Sequence, residues 1–183
     1  SESRIVQTLN HLEQSELFND QRDYMVLLLL YACGLRKAEL INLQLRSVER
    51  DQSFLRVLGK GDKERIVPLG QKVLKSIERY IKLRKRAFES CGHNYLILTD
   101  KGLKLYPKFV FNLVNKYFNT SKIGKVYPHM LRHSFATHLL EKGAKIEHVR
   151  KLLGHTSLAA TQVYTRLSME RIMDVYKDKH PRS

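Results

Sequence analysis

Phe54-Leu55-Arg56-Val57-Leu58 and Arg65-Ile66-Val67-Pro68-Leu69 are two short β-type runs set either side of Gly59-Lys60-Gly61-Asp62-Lys63. Five-residue runs joined by a short Gly- and Asp-containing turn predict an antiparallel hairpin. On both sides of it the sequence follows the other period. Upstream, Ile5, Leu9 and Leu12, and then Met25 to Leu30, carry helical spacing, with Asn19 or Asp20 as the expected N-cap and Gly34 as the stop. A short helix is expected over 36–45. Downstream, helical pattern covers 71–88 and 108–118, and Tyr95 to Leu98 is a candidate further strand. Pro128 to Lys177 reads as four helices, broken near Gly143, at Gly154 to Ser157 and around Leu167-Ser168. The expected fold class is mainly α with a small antiparallel β-sheet. No repeat, low-complexity tract or long linker divides it, so residues 1–183 are expected to form one domain.

The composition narrows the partners. Lys and Arg number 33 against 18 Asp and Glu, a formal charge of +15, which is the electrostatic footprint of a nucleic-acid binder. A generic basic surface would look the same. Cys33 and Cys91 are far apart and neither belongs to a CxxC pair, so neither a disulfide framework nor a zinc ribbon is supported, and a reducing, cytoplasmic compartment is expected. The longest apolar run, Met25 to Ala32, falls far short of the ~20 residues that span a bilayer. No signal-peptide pattern precedes it, so no membrane partner is expected. Because the chain opens on Ser1-Glu2-Ser3 and not on Met, a tag scar or an excised fragment is expected to begin here, with a further domain expected upstream.

The chemistry concentrates in the last third. In His129-Met130-Leu131-Arg132-His133, residues 129 and 132 are three apart and share a helix face, while Leu131, Phe135 and Leu139 form an apolar stripe. A planar guanidinium beside an imidazole suits a phosphorane, because Arg offers a fork of donors and His can give or take a proton near neutrality. Standing alone, the pair reads better as a surface arginine beside a capping histidine. The HxxxH spacing of His129 and His133 lacks the Glu of a zincin helix and an evident third ligand. Gly59-Lys60-Gly61 lacks the phosphate-loop pattern and joins strands instead of opening a helix. No acidic cluster suggests a two-metal nuclease, so no metal and no nucleotide cofactor is expected.

Five segments agree with one another: Gly34-Leu35-Arg36-Lys37-Ala38-Glu39-Leu40, the Gly59-Lys60-Gly61 turn, the stretch from His129 through Arg132-His133-Ser134-Phe135-Ala136-Thr137-His138, Leu153-Gly154-His155, and Tyr164-Thr165. Their order and spacing resemble the tyrosine recombinases of the phage-integrase family, and most resemble the bacterial Xer type. Ser168-Met169-Glu170-Arg171, Val175-Tyr176 and His180-Pro181-Arg182 resemble that subgroup's tail. The resemblance implies the catalytic-domain fold of these DNA breaking and rejoining enzymes. It implies Arg36 and Arg132 as phosphate-clamping arginines, Lys60 as the hairpin lysine, His129 and His155 as site histidines and Tyr164 as nucleophile. Glu39, one turn after Arg36, is then the acidic residue that orients that arginine.

The chemistry implied is metal- and ATP-independent. A phenol with pKa near 10 is a poor nucleophile at neutral pH, so Tyr164 needs its proton removed or its oxyanion stabilised during attack. Fixed guanidiniums of Arg36 and Arg132 favour the five-coordinate phosphorus, on which negative charge accumulates. The leaving 5′-oxygen needs a proton, and Lys60 on a hairpin tip is the candidate general acid. The product is a 3′-phosphotyrosine ester that a second DNA strand can resolve without ATP. A straight helix from His155 to Tyr164 would separate their Cα atoms by roughly 13 Å, so a break at Gly154, with Thr156 or Ser157 as the next N-cap, is required.

The resemblance extends to function and assembly. It implies a site-specific recombinase acting on double-stranded DNA, in chromosome-dimer resolution or in integration and excision of a mobile element, in a bacterial or archaeal nucleoid. A homo- or hetero-tetramer on DNA would be linked through the tail at about 168–183, where Ile172, Met173 and Tyr176 share an apolar face. The resemblance also implies an N-terminal DNA-clasping domain, which is expected to lie outside residues 1–183. The alternative is a DNA-binding regulator that kept the fold without the chemistry; its mark would be loss of Arg36, Lys60, Arg132 or Tyr164, and all are present. A DNA-relaxing enzyme of the same chemistry is distinguished only by the Xer-like tail. The Lys82 to Arg86 cluster reads as a solvated helix face, Cys33 as core, and His133 and His138 as structural hydrogen-bonders.

Overall fold

A computed structural model describes residues 2–59, 64–89, 92–120 and 124–153. Seven helices are described: α1 Glu2–Glu13, α2 Phe18–Ala32, α3 Lys37–Asn42, α4 Gln71–Ala87, α5 Pro107–Phe118, α6 Pro128–Glu141 and α7 Ile146–Leu152. Three strands, β1 Val48–Glu49, β2 Phe54–Leu58 and β3 Glu64–Pro68, form one antiparallel sheet in the order β1-β2-β3. The fold class read from the sequence is the one observed. The two further helices expected after Gly154 lie outside the described residues.

The centre of the molecule is α2. Every residue from Gln21 to Ala32 is buried, as expected of a helix that is apolar around most of its circumference. α1, α4, α5 and α6 all pack on it. Its first turn departs from expectation. The N-cap is Leu17, with no side-chain cap, and Asp20 lies inside the helix, where it accepts a hydrogen bond from Ser15 Oγ at 2.7 Å. A carboxylate there still suits the positive end of the helix dipole. The polar residues Arg22 and Asp23 are buried as a pair, and Asp23 also accepts from Lys116 Nζ at 3.0 Å and Tyr117 Oη at 2.7 Å, which fastens α5 to α2.

The hairpin forms as predicted, with Phe54 opposite Pro68 and Leu58 opposite Glu64. β1 was not foreseen, because two residues are too short to show a period of two. Strand alternation puts Leu55, Val57, Arg65 and Val67 on the buried side, and Val57 lies directly opposite Arg65. Tyr95 to Leu98 is not a strand. It makes single bridges only, Gln44 with Tyr95 and Leu98 with Lys104, and Leu96, Ile97 and Leu98 are buried in succession without alternation. The expected helix over 36–45 is confined to Lys37–Asn42, since Leu43 and Leu45 exchange backbone hydrogen bonds with Leu96 and Asn94. Within the basic cluster Lys82, Lys85 and Arg86 are exposed, but Arg84 is buried and donates to the carbonyls of Tyr95 and His93. Cys33 is core, and His138 Nδ1 meets Tyr31 Oη at 2.9 Å.

α6 and α7 enclose a second, smaller apolar cluster of Phe135, Leu139, Ala144, Val149, Leu152 and Leu153. Gly34 joins the two cores. Its φ is +57°, and a Cβ there would lie 2.8 Å from Phe135 Cδ1 and 3.0 Å from Leu153 Cδ2. Both conformation and space therefore demand glycine. Gly34→Ala is expected to lower unfolding free energy by about 2–4 kcal/mol, from left-handed strain plus overpacking; urea denaturation of the two chains measures it.

Candidate active site

The site begins at the end of α2. Beyond Gly34 the chain becomes extended at Arg36 (φ −73°, ψ 150°), which is the N-cap of α3. Three residues on, Glu39 reaches back and accepts from the Arg36 backbone N–H at 2.7 Å, satisfying one of the free donors at that helix end. The same carboxylate accepts from the Arg36 guanidinium at 2.8 Å. Glu39 thus holds Arg36 by two hydrogen bonds, one to its backbone and one to its side chain.

Two more guanidiniums meet this carboxylate. Arg65 on β3 donates from Nε to Oε1 at 3.2 Å and from Nη2 to Oε2 at 2.8 Å. Arg132 on α6 places Nη1 at 3.7 Å from Oε2 while donating to the carbonyls of Gly34 and Leu153. Glu39, Arg65 and Arg132 are 4%, 6% and 8% exposed, whereas the Arg36 side chain is 39% exposed. Arg36 is therefore the member that faces solvent. Three guanidiniums around one carboxylate leave two positive charges in excess, in a setting where Coulomb forces are weakly screened.

The protonation states follow. Burial alone would raise the Glu39 carboxyl, but the hydrogen bond and charge of Arg65, with the bonds from Arg36, hold it below its ordinary value. Arg132 is lowered to about 10, first by burial and then by the charges of Arg36 and Arg65, with Glu39 opposing. It remains a cation at neutral pH. Other candidate nucleophiles are disfavoured: burial pushes the Cys33 thiol up to about 12, and, chiefly by burial, Tyr80 and Tyr117 up to about 12.

Of the residues expected at the site, Arg36, Glu39 and Arg132 come together from two separate segments, the start of α3 and α6. His129 does not join them through a hydrogen bond among the described residues. It shares α6 with Arg132, but Arg132 turns inward to carbonyls while His129 is exposed and stacks on Tyr127, with ring centroids 5.6 Å apart and planes at 21°. The expected convergence of these two groups is therefore not seen in the described contacts. Lys60, His155 and Tyr164 lie outside the described residues, as does the break expected at Gly154 to Ser157. Arg65 was not foreseen as a site residue. Its signal was available, because alternation about Val67 puts Arg65 on the core face, and a buried arginine requires an anionic partner.

Among the described residues no three His, Cys, Asp or Glu side chains come together as a metal site, and no helix is long and apolar enough to cross a membrane. The lowered carboxyl of Glu39 stabilises the fold above the ordinary carboxylate range and loses that contribution as pH falls through its lowered value. In Glu39→Gln the acid-side decline of stability is expected to be shallower. At neutral pH the variant is expected to be less stable by about 3–5 kcal/mol, as when one partner of a buried ion pair is removed. Denaturant midpoints measured across the acid range in both chains test both statements.

Comparison with known proteins identifies the family of the chain. The phage integrase family matches residues 2–171. Tyrosine recombinase XerC of Shewanella sp. (strain ANA-3) is 44% identical over 163 residues, covering 88% of this chain and 54% of the relative. Tyrosine recombinase XerD of Staphylococcus haemolyticus (strain JCSC1435) is 41% identical over 167 residues, covering 90% of this chain and 57% of the relative. This chain spans little more than half the length of these relatives. Among solved structures, the crystal structure of XerA recombinase superposes with a TM-score of 0.69 at 31% identity, covering 100% of this chain and 65% of that one. The XerH recombinase bound to its difH substrate, in the pre-cleavage complex, shares the fold at a TM-score of 0.70 and 23% identity, covering 97% of this chain and 49% of that one.

Proposed function

Because this chain belongs to the phage integrase family, we propose that it is the strand-cleaving domain of an Xer-type site-specific DNA recombinase, forming a 3′-phosphotyrosine ester through Tyr164. The observation that carries this reading is the cluster of Arg36, Arg65 and Arg132 about one buried carboxylate. A site with two positive charges in excess, held by buried hydrogen bonds, matches a phosphate that becomes dianionic in the transition state. Arg36, the exposed member, would make first contact with the scissile phosphate. Arg132, already fixed by Gly34 and Leu153, would meet the developing charge without rearrangement.

Lys60 lies in the sequence between two strands paired from Leu58 to Glu64, and it is assigned as general acid to the leaving 5′-oxygen. His155 follows Leu153 by two residues and is assigned, with His129, to hydrogen bonding and proton transfer at the phosphate. The net charge of +15 favours double-stranded DNA as the partner through its phosphates. Related recombinases have been solved with DNA, including XerH with difH, which supports the same ligand here. Residues 168–183 are assigned to contacts between protomers, in a tetramer on DNA. Retention of Arg36, Lys60, Arg132 and Tyr164 argues for chemistry over a purely binding role.

The test is a nicked suicide substrate carrying the cognate site, run on a denaturing gel. A covalent protein–DNA adduct is expected, and it should vanish in Tyr164→Phe; an adduct that persists in that variant removes the nucleophile assignment. Lys60→Ala is expected to lose cleavage by roughly 10²–10⁴-fold, the range for a missing general acid, and to regain most of it when the 5′-bridging oxygen is replaced by sulfur. Equal impairment on both substrates would take Lys60 out of that role.

A further inference from the structure

Arg65 stands apart from its two neighbours at the site. It is 6% exposed, so it is shielded from any ligand at the surface. It nonetheless makes the most complete pairing with Glu39, two bonds at 3.2 and 2.8 Å to the two carboxylate oxygens. Its remaining fork atom, Nη1, donates to the Leu152 carbonyl at 2.6 Å, at the end of α7. That carbonyl belongs to the last turn of a helix and has no partner within it. The next carbonyl, of Leu153, is held by Arg132. Two arginines from different elements thus hold consecutive carbonyls at the end of α7.

On the recombinase reading, this geometry has an electrostatic consequence. Were Arg65 neutral, Glu39 would have to be compensated by Arg36 and Arg132 alone, and the excess charge at the site would fall from two to one. Arg132 already stands 3.7 Å from Glu39, so it would be drawn toward the carboxylate and away from Gly34 and Leu153. We infer that Arg65 is a positioning residue for phosphoryl transfer, which neutralises Glu39 so that Arg36 and Arg132 keep both charges for the scissile phosphate, and which holds the end of α7 against that carboxylate. Its own strand begins at Glu64, four residues after Lys60 in the sequence. One buried side chain therefore ties together the hairpin, the start of α3 and the end of α7.

The test compares single-turnover cleavage of the suicide substrate by the parent chain, Arg65→Gln and Arg65→Lys, with DNA affinity measured separately. Arg65→Gln is expected to cleave on the order of 10- to 100-fold more slowly, as when a buried partner that orients a reacting group is lost, with DNA affinity nearly unchanged. Its deficit is expected to shrink on a substrate whose scissile phosphate is a neutral methylphosphonate, since a centre of lower charge demands less positive compensation. A deficit equal on both substrates, or none, overturns the assignment.

Arg65→Lys keeps the charge and gives an answer even if Arg65→Gln fails to fold. An ammonium there faces the Glu39 carboxylate, which favours its charge, but burial and the two guanidiniums of Arg36 and Arg132 outweigh one carboxylate and make it lose its proton more readily than a free lysine. The ratio of variant to parent rate is therefore expected to fall as pH rises, and a ratio independent of pH overturns the role. If the parent chain itself forms no adduct, the recombinase reading falls and the role of Arg65 with it. An adduct formed by Arg65→Gln at the parent rate removes the role of Arg65 alone.

Discussion

The carboxylate of Glu39 is the interaction on which the site's architecture depends. A lone carboxylate at this depth would carry a desolvation penalty of several kcal/mol, so its presence requires cations, and the fold delivers three from three separate elements. Such a cluster contributes little to net stability compared with apolar packing of the same volume. What it contributes is position. Each guanidinium is bound to Glu39 or to a main-chain carbonyl, and these bonds fix where the arginines can point.

The same cluster is electrostatically unsatisfied. Burial, and after it the charges of Arg36 and Arg65, bring the pKa of Arg132 down to about 10. That repulsion is held in the resting protein by the hydrogen bonds of Arg132 to the Gly34 and Leu153 carbonyls and by its ion pair with Glu39. An arriving anion relieves it, and a dianion relieves it more. On the function proposed above, a site built in this way would gain more from the transition state of phosphoryl transfer than from the ground-state monoanion, which is the condition for catalysis as opposed to tight binding.

How much of this was legible in the sequence depended on the period of the signal. The hairpin, the long helices and the stop at Gly34 are written in local patterns of two or 3.6 residues, and they appear where those patterns place them. Arg36 and Glu39 were legible as a pair because one helical turn separates them. Arg132 was legible as a site residue, but its inward turn was not, since the carbonyls it holds come from residues 34 and 153. Arg65 shows the limit most clearly: its place on the inner face follows from alternation, yet its partners are 26 and 87 residues away. Burial of a charged side chain is a tertiary fact, and only the assembled fold supplies the carboxylate that permits it.

Gly34 shows how tightly stability and site geometry are joined. The absence of a side chain lets the backbone turn left-handed at the end of α2, and lets Phe135 and Leu153 close against it. Its carbonyl, presented by that turn, accepts from Arg132. Leu153, packed on the same glycine, presents its own carbonyl to the other arm of that guanidinium. A side chain at position 34 would therefore disturb more than packing, because the displaced neighbour also carries one of the two oxygens that aim Arg132. The small cluster between α6 and α7 thus serves as the seat of Arg132, with its spacing set by the absence of one methyl group.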